Sequence, residues 1–276
     1  MSIIKGTVKT ATLEIDNGLN IPQISTPSNT TNKLYNTSSS SGILKWGTHQ
    51  LVGFPKSIQK VSSTGHYAIP SGTTQIHIKV VGGGGGGGGP AYEDDVGGGG
   101  GSGSYTEVNL DTSTFISYGS DRSYIYVSLG SGGAGGTGTN NGSAGTGSTV
   151  RFSNGSTTTG ATICTTNGGS GGIQGNYYGL GGSGGSEGSI SIGNGYKIPG
   201  RPGQNGIDKG TNITNRTGTL GGSSVLGKSG RGGIPYYGAT GINGERGGGG
   251  GGGFYHSSGS GAGTAGGDGY CIIIFS

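Results

Sequence analysis

The amino-acid sequence predicts an all-β protein in which a small N-terminal β module precedes a glycine-rich domain of packed polyproline-II (polyglycine II) helices flanked by β-strands. Three observations predict this fold class. Gly82–Gly89 is an unbroken run of eight glycines directly after the apolar segment 75–81. Glycine recurs at every third residue in other segments, as it does in 169–175 and in 179–188. The segment Tyr270–Phe275 is apolar and strand-like.

The glycine spacing is the main evidence for packed helices. A polyproline-II helix has three residues per turn, so glycine at every third position lies along one edge and lets a neighbouring backbone approach closely. Glycine-rich chains are also often disordered, because glycine loses the most conformational entropy on folding. The phased spacing and the apolar C-terminal segment favour the folded alternative. The other phased segments are 132–138, 200–206, 238–247 and 263–269.

The composition limits both the core and the function. Of the 276 residues 73 are glycine, whereas 28% are apolar and 10% are charged. Backbone hydrogen bonding must therefore contribute an unusual share of the order. The net charge of +4 comes from isolated basic residues, which does not indicate nucleic-acid binding. No secretory signal and no apolar segment of bilayer length is found, so we expect synthesis in a cytoplasm and no membrane insertion.

Residues 1–62 are poor in glycine and form the predicted N-terminal module. Residues 5–15 alternate loosely as a strand, and Asp16-Asn-Gly18 is typical of a turn. Short strands are predicted before Tyr35 and across 42–52, with Trp46 as the anchor of a small core or of a contact between subunits. We assign this module to attachment or oligomerisation.

Residues 63–276 form the predicted glycine-rich tip domain. Residues 73–81 alternate as a strand with Ile76, Ile78 and Val80 on one face and His77 on the other. Cys164 and Cys271 lie in apolar segments and are expected to be buried, and the sequence leaves open whether they pair. Further strands are predicted at 104–110, 123–129, 149–152, 158–165 and 270–275.

The order of these segments resembles a known viral arrangement. Residues 66–89 contain a strand, the turn Pro70-Ser-Gly72, a second strand and the polyglycine run. Residues 104–110, 124–129 and 266–274 match its later parts. The arrangement is similar to the glycine-rich tips of bacteriophage tail fibres and, in architecture, to the tail-fibre adhesins of T-even-like phages. This resemblance covers about residues 66–276.

The resemblance implies a virion protein at the tip or surface of a tail fibre, made in the host cytoplasm. It implies a non-enzymatic adhesin that binds a host cell-surface receptor through the loops between glycine-rich segments. The implied receptor is an outer-membrane protein or a surface glycan of the host. The other expected partners are fibre proteins or further copies of this chain, as a homotrimer or as a monomer on a trimeric fibre. A structural self-assembling filament or capsid-surface protein without receptor binding is the alternative.

Aromatic residues lie in the inserts between the glycine-phased segments. Tyrosine on a rigid loop offers a large contact area at little entropic cost, which is typical of binding surfaces. For Tyr196 and Tyr237 a second interpretation stays open, in which they cover the edges of a core that is short of side chains. The candidate receptor-binding residues are Tyr92, Tyr177, Tyr178, Tyr196, Arg201, Tyr236, Tyr237 and Tyr255.

Motifs of catalysis and cofactor binding lack their context. Residues 222–229 fit the phosphate-binding pattern G-x-x-x-x-G-K-[ST], but the following Gly-Arg-Gly-Gly-Ile-Pro235 cannot form the helix that such a loop requires. The four histidines lack metal-ligand spacing, and no carboxylate pair has the spacing of a glycosidase. We therefore expect no enzyme activity, no cofactor and no metal.

Overall fold

The protein is all-β, and the described residues contain essentially no helix. Two compact units divide between Phe54 and Pro55. The computed structural model describes residues 34–36, 44–46, 49–50, 55–91, 95–111, 113–114, 123–156, 158, 160–175, 179–206, 218–232, 241–256 and 259–276.

The first unit contains an antiparallel sheet in the order β1-β2-β3, formed by Leu34–Asn36, Leu44–Trp46 and His49–Gln50. Leu34 pairs with Trp46, and Trp46 pairs in turn with His49. The strand and turn predicted at residues 5–18 lie outside the described residues.

The sequence analysis places a domain boundary between residues 62 and 63, and the compact units divide between Phe54 and Pro55. Strand β4 (Ser57–Val61) accounts for the difference, because it pairs with β15 (Tyr270–Phe275) in the second unit. The residues of β4 do not alternate clearly between apolar and polar, so the sequence did not predict this strand. Its pairing with β15 joins residues more than 200 positions apart.

Two five-stranded antiparallel sheets form the base of the second unit. Sheet I has the order β12-β7-β6-β15-β4, and sheet II has the order β11-β10-β9-β8-β5. The two-residue strands β13 and β14 form a separate pair. The remaining bounds are β5 Gly65–Ala68, β6 Gln75–Val81, β7 Tyr105–Asp111, β8 Tyr124–Ser128, β9 Thr149–Ser153, β10 Thr162–Thr165, β11 Ser189–Ile190, β12 Asn194–Ile198, β13 Tyr255–His256 and β14 Gly259–Ser260.

The apolar core lies between the inner faces of sheets I and II. The predicted alternation of β6 is confirmed, since Ile76, Ile78 and Val80 are fully buried. Ile78 lies opposite both Val108 and Ile273 in the register of sheet I. From sheet II the core receives Ile125, Val127, Val150, Phe152 and Ile163. Burying one face of each sheet in this way fixes the strand register.

The octaglycine continues from the end of β6 and contacts six other segments through its backbone. Its N–H groups donate in rotation to three of them, as Gly82, Gly83 and Gly84 do to the carbonyls of Ser104, Thr146 and Gly267. The same three segments accept again from the next three N–H groups, at Gly101, Ser143 and Thr264. Its carbonyls accept from three further segments, through Gly133, Gly169 and Gly250. The hydrogen-bond partners therefore repeat every third residue.

The other two glycine runs are also interior segments. Gly97–Gly101 lies antiparallel to the octaglycine, with Gly85 donating to Gly101 and Gly88 donating to Gly98. Gly247–Gly253 contacts both runs, because Gly250 donates to Gly85 and accepts from Gly100. The runs of consecutive glycine thus occupy the positions that are surrounded by backbone on all sides.

The glycine-phased segments lie outside these three runs. Along residues 167–175 every third residue is exposed, at Asn167, Ser170 and Ile173, and Gly169, Gly172 and Gly175 are buried. Along residues 179–186 the same period exposes Leu180, Ser183 and Ser186. The glycine at every third position therefore faces the neighbouring backbones, as the sequence predicts.

Candidate functional site

Several described residues that border inserts lie at the end of the glycine-rich part that is farthest from the sheets. The octaglycine leaves sheet I at Val81 and reaches this end at Ala91, whose N–H donates to the Gly175 carbonyl at 2.9 Å. Gly206 donates to Gly179 at 2.5 Å. Three further contacts connect the same region, namely the bridges Pro90–Gly175 and Val96–Phe254 and the hydrogen bond from Gly89 to Asn140.

We call this region the loop end, defined by Ala91, Val96, Gly175, Gly179, Gly206 and Phe254. The described residues that border inserts 92–94, 176–178 and 207–217 lie there. Gly232, which borders insert 233–240, donates to Thr219 in the segment that follows residue 217. The arrangement brings the described residues that border several inserts of different sequence close together.

Five of the candidate residues fall in those inserts and lie outside the described residues, namely Tyr92, Tyr177, Tyr178, Tyr236 and Tyr237. Tyr255 is in β13, directly after the buried Phe254 of the loop end, and pairs with Ser260.

Tyr196 and Arg201 lie near the sheets instead. Tyr196 is in the middle of β12, the edge strand of sheet I, opposite Glu107 of β7. Arg201 exchanges hydrogen bonds with Ser102, three residues before β7. The structure therefore separates these two residues from Tyr255, with which the sequence analysis grouped them.

Tyr196 belongs to a cluster of polar side chains on the outer face of sheet I, which we call the Glu107 cluster. Glu107 Oε2 accepts hydrogen bonds from the hydroxyls of both Tyr105 and Tyr196. Glu107 Oε1 lies 2.6 Å from His77 Nε2 and 3.9 Å from Lys79 Nζ. Residues on one strand at alternate positions share a face, so β6, β7 and β12 bring these groups together.

Hydrogen bonding keeps the Glu107 carboxyl ionised. Burial by itself would raise its pKa, but the hydrogen bonds that it accepts, first of all from Tyr105, lower the pKa below its ordinary value of 4.5. Burial and the hydrogen bond to Glu107 raise the pKa of Tyr105 well above its ordinary value. The hydrogen bond to Glu107 also raises the pKa of Tyr196.

These contacts fix the position of an exposed aromatic ring. Tyr196 is 51% exposed, yet its hydroxyl is held by Glu107 and its ring lies 6.0 Å from the ring of Tyr105 at 48°. A side chain that is already ordered loses less entropy when it binds a ligand.

A cleft of about 280 Å³ opens beside the cluster on the same sheet. Its lining includes Gln75 and His77 of β6, Asn109 and Asp111 of β7, and Asn194 of β12. Ile274 of β15 supplies apolar surface. Within the described part of the chain, the side-chain amides of Gln75, Asn109 and Asn194 make no hydrogen bond. The cleft therefore offers free donors and acceptors.

Sequence reasoning did not find the cluster or the cleft. The signal was present in part, because Tyr105, Glu107 and Asn109 alternate with buried Val108 and Leu110 along β7. The pairing of β7 with β12 had no such signal, since all five residues of β12 are exposed.

The described residues give no sign of a metal centre, because no group of three or more His, Cys, Asp or Glu side chains among them could hold an ion. In the same part of the chain, none of the helices has the length and apolar character needed to span a bilayer.

Comparison with known proteins shows the family to which the chain belongs. A family model described as a glycine-rich domain matches residues 60–276. No curated protein matches the chain significantly.

Proposed function

We propose that this chain, which belongs to the glycine-rich domain family over residues 60–276, is a non-enzymatic recognition protein of a virion, the adhesin at the tip of a tail fibre. In this proposal the loop end binds a receptor on the host cell, an outer-membrane protein or a surface glycan. The glycine-rich segments supply a rigid scaffold for the inserts.

The observation that carries the proposal is that the residues bordering several inserts lie together at the loop end. Ala91, Gly175 and Gly206 border three separate inserts, and backbone hydrogen bonds tie their segments together, because Ala91 donates to Gly175 and Gly206 donates to Gly179. Binding surfaces are commonly built from loops that a rigid scaffold positions. The tyrosines of inserts 92–94, 176–178 and 233–240 suit such a surface, because tyrosine gives large contact area at low entropic cost.

We propose further that the scaffold consists of polyproline-II helices of the polyglycine II type. The support is the three-residue period of the hydrogen-bond partners, since a helix with three residues per turn directs successive N–H groups about 120° apart. None of the glycines in Gly82–Gly89 has a positive φ, which agrees with the negative φ of that helix. Carbonyl ¹³C shifts along the octaglycine test this, because strand-like values there would contradict it.

The expected location is tested by electron microscopy of native particles with gold-labelled antibody against residues 170–260. Label at the distal ends of fibres is the expected result. Label along whole filaments, or evenly over a shell, would instead support the structural alternative. One observation favours that alternative, namely the exposed edge strand β12, because open strand edges pair readily with other chains.

Receptor binding by the loop end is tested by competition. The purified chain should block attachment of the particles to host cells, and a variant with Tyr177→Ala and Tyr178→Ala should block it at least tenfold less well, as loss of a binding hot spot does. The matched control is Ile58→Ala in β4, a 52% exposed side chain at the sheet end. Equal competition by both variants would refute the role of the loop end.

A further inference from the structure

We infer that the cleft beside the Glu107 cluster is a binding site for a neutral, hydroxyl-rich ligand, a saccharide residue of the hexose class that packs against Tyr196. The site lies on sheet I and not at the loop end, so it is independent of the proposed receptor contact. It would add a second contact with a glycan-bearing surface.

The free amides define the kind of ligand. Side-chain amides of Gln75, Asn109 and Asn194 line the cleft, and each offers both a donor and an acceptor. A purely apolar ligand would bury these groups without partners, which costs free energy. Vicinal hydroxyls satisfy donors and acceptors at the same time, so a polyhydroxylated ligand fits the lining.

Charge disfavours anionic ligands in the cleft. Asp111 is part of the lining, and hydrogen bonds from Thr114 and Ser113 lower the pKa of its carboxyl. A carboxylate that remains ionised repels an anion, and the lining contains no Lys or Arg to offset this. A metal cation lacks sufficient ligands among the described residues. The lining is therefore unsuited to an anion or a metal ion, and its free amides favour a neutral ligand with hydroxyl groups.

Tyr196 supplies the apolar contact that sugars require. It lies two residues after Asn194 on β12, so the two side chains share a face at a distance of roughly 7 Å along the strand. The C–H face of a pyranose ring packs on an aromatic ring while its hydroxyls point to the side. The hydrogen bond from Tyr196 to Glu107 holds the ring in place before binding.

The size of the cleft limits the ligand to one sugar residue. Its volume of about 280 Å³ lies just below the range of roughly 300–1,000 Å³ that is usual for small-molecule pockets. A cleft that is open to solvent admits a longer chain of which one residue is held. Affinity for a single sugar is accordingly expected to be weak.

The experiment is a ¹H–¹⁵N NMR titration of the full chain. The probes are the methyl glycosides of glucose, galactose and mannose, and N-acetylglucosamine, with anionic N-acetylneuraminic acid as the comparison. The amide signals of Asn109 and Asn194 are assigned by their loss in the two single Ala variants. We expect saturable shifts of these signals with at least one neutral sugar and no such shift with the anionic sugar.

Variants separate a site from general surface effects. A chain with Asn109→Ala and Asn194→Ala should bind the active sugar roughly tenfold or more weakly, since two hydrogen-bonding groups are lost. Tyr196→Ala should weaken binding similarly, and Tyr196→Phe should weaken it less, because the ring remains although the hydrogen bond that holds it to Glu107 is lost. Gln59→Ala, an exposed amide on β4 outside the cleft, should change nothing.

Three results would overturn the inference. The first is the absence of saturable shifts with every neutral sugar. The second is binding of the anionic sugar alone. The third is unchanged affinity in the Asn109→Ala, Asn194→Ala chain when its spectrum shows that the fold is intact.

Discussion

Replacing Gly87 by alanine tests whether backbone contact holds the glycine-rich part together. A β-carbon on Gly87 would lie 2.0 Å from the Gly251 carbonyl oxygen and 2.3 Å from its carbon. Gly251 belongs to another interior run, which is surrounded by backbone and cannot move outward. The two segments would have to separate by about 1 Å to reach the 3.0 Å below which real β-carbons are essentially never found.

That separation disturbs hydrogen bonds as well as packing. Gly87 donates to Thr264 at 2.9 Å and accepts from Gly136 at 2.8 Å. Overpacking costs about 1–3 kcal/mol, and leaving one buried backbone group without a partner costs a further 1–3 kcal/mol approximately. We therefore expect Gly87→Ala to lower the free energy of unfolding by about 3 kcal/mol or more. In a unit of this size that lowers Tm by roughly 6–12 °C.

The assay is urea and thermal unfolding followed by circular dichroism, with Gly65→Ala as the matched control. A β-carbon on Gly65 would meet only the Tyr67 ring, at 3.8 Å or more, so this variant should unfold within about 0.5 kcal/mol of the parent chain. If Gly87→Ala is as stable as Gly65→Ala, the glycine runs are not packed at this spacing and the reasoning fails.

Two further predictions concern buried and hydrogen-bonded groups. The pKa of Glu107 is lowered on folding, so its contribution to stability is present above pH 4.5 and is lost as the pH falls through the lowered value. The free energy of unfolding of Glu107→Gln, measured in urea, should therefore decrease less at acid pH than that of the parent chain. Identical dependence of the two free energies on pH would contradict this. Burial raises the pKa of Cys164 to about 12 and raises that of Cys271, so neither thiol should react with a thiol reagent faster than the chain unfolds. Rapid labelling of the native chain, compared with the urea-unfolded chain as the full-reaction control, would show that these thiols are accessible.

The sequence was sufficient for the elements whose pattern is local. The alternation of residues 75–81 predicted strand β6 and its buried face, and the apolar run 270–275 predicted strand β15. The three-residue spacing of glycine identified which glycines face neighbouring backbones in segment 167–175, because exposed and buried residues repeat there with the same three-residue period. Local period and burial are linked directly, so one residue pattern is enough to predict them.

The candidate site depended on pairings that no local pattern encodes. Glu107 meets Tyr196 only because β12 joins the edge of sheet I, and the two residues are 89 positions apart. Strand β12 has no buried residue, so hydrophobic periodicity could not reveal it. Tyr196 was expected in a loop for this reason. The free amides of the cleft became apparent only when β6, β7 and β12 lay side by side.

The glycine runs separate the residues that stabilise the domain from those that are available for recognition. In an ordinary core, side chains must fit together, so changes elsewhere are limited by packing. Here the interior contacts are made by backbone groups, as between Gly89 and Gly175 or between Gly179 and Gly206. These hydrogen bonds lie beside inserts 92–94, 176–178 and 207–217 and are made by backbone groups alone. Lengthening a surface loop costs little in chain entropy, so inserts between such hydrogen bonds can differ in length and sequence while the scaffold stays the same. A receptor-binding surface that must change while its support remains rigid would benefit from this division.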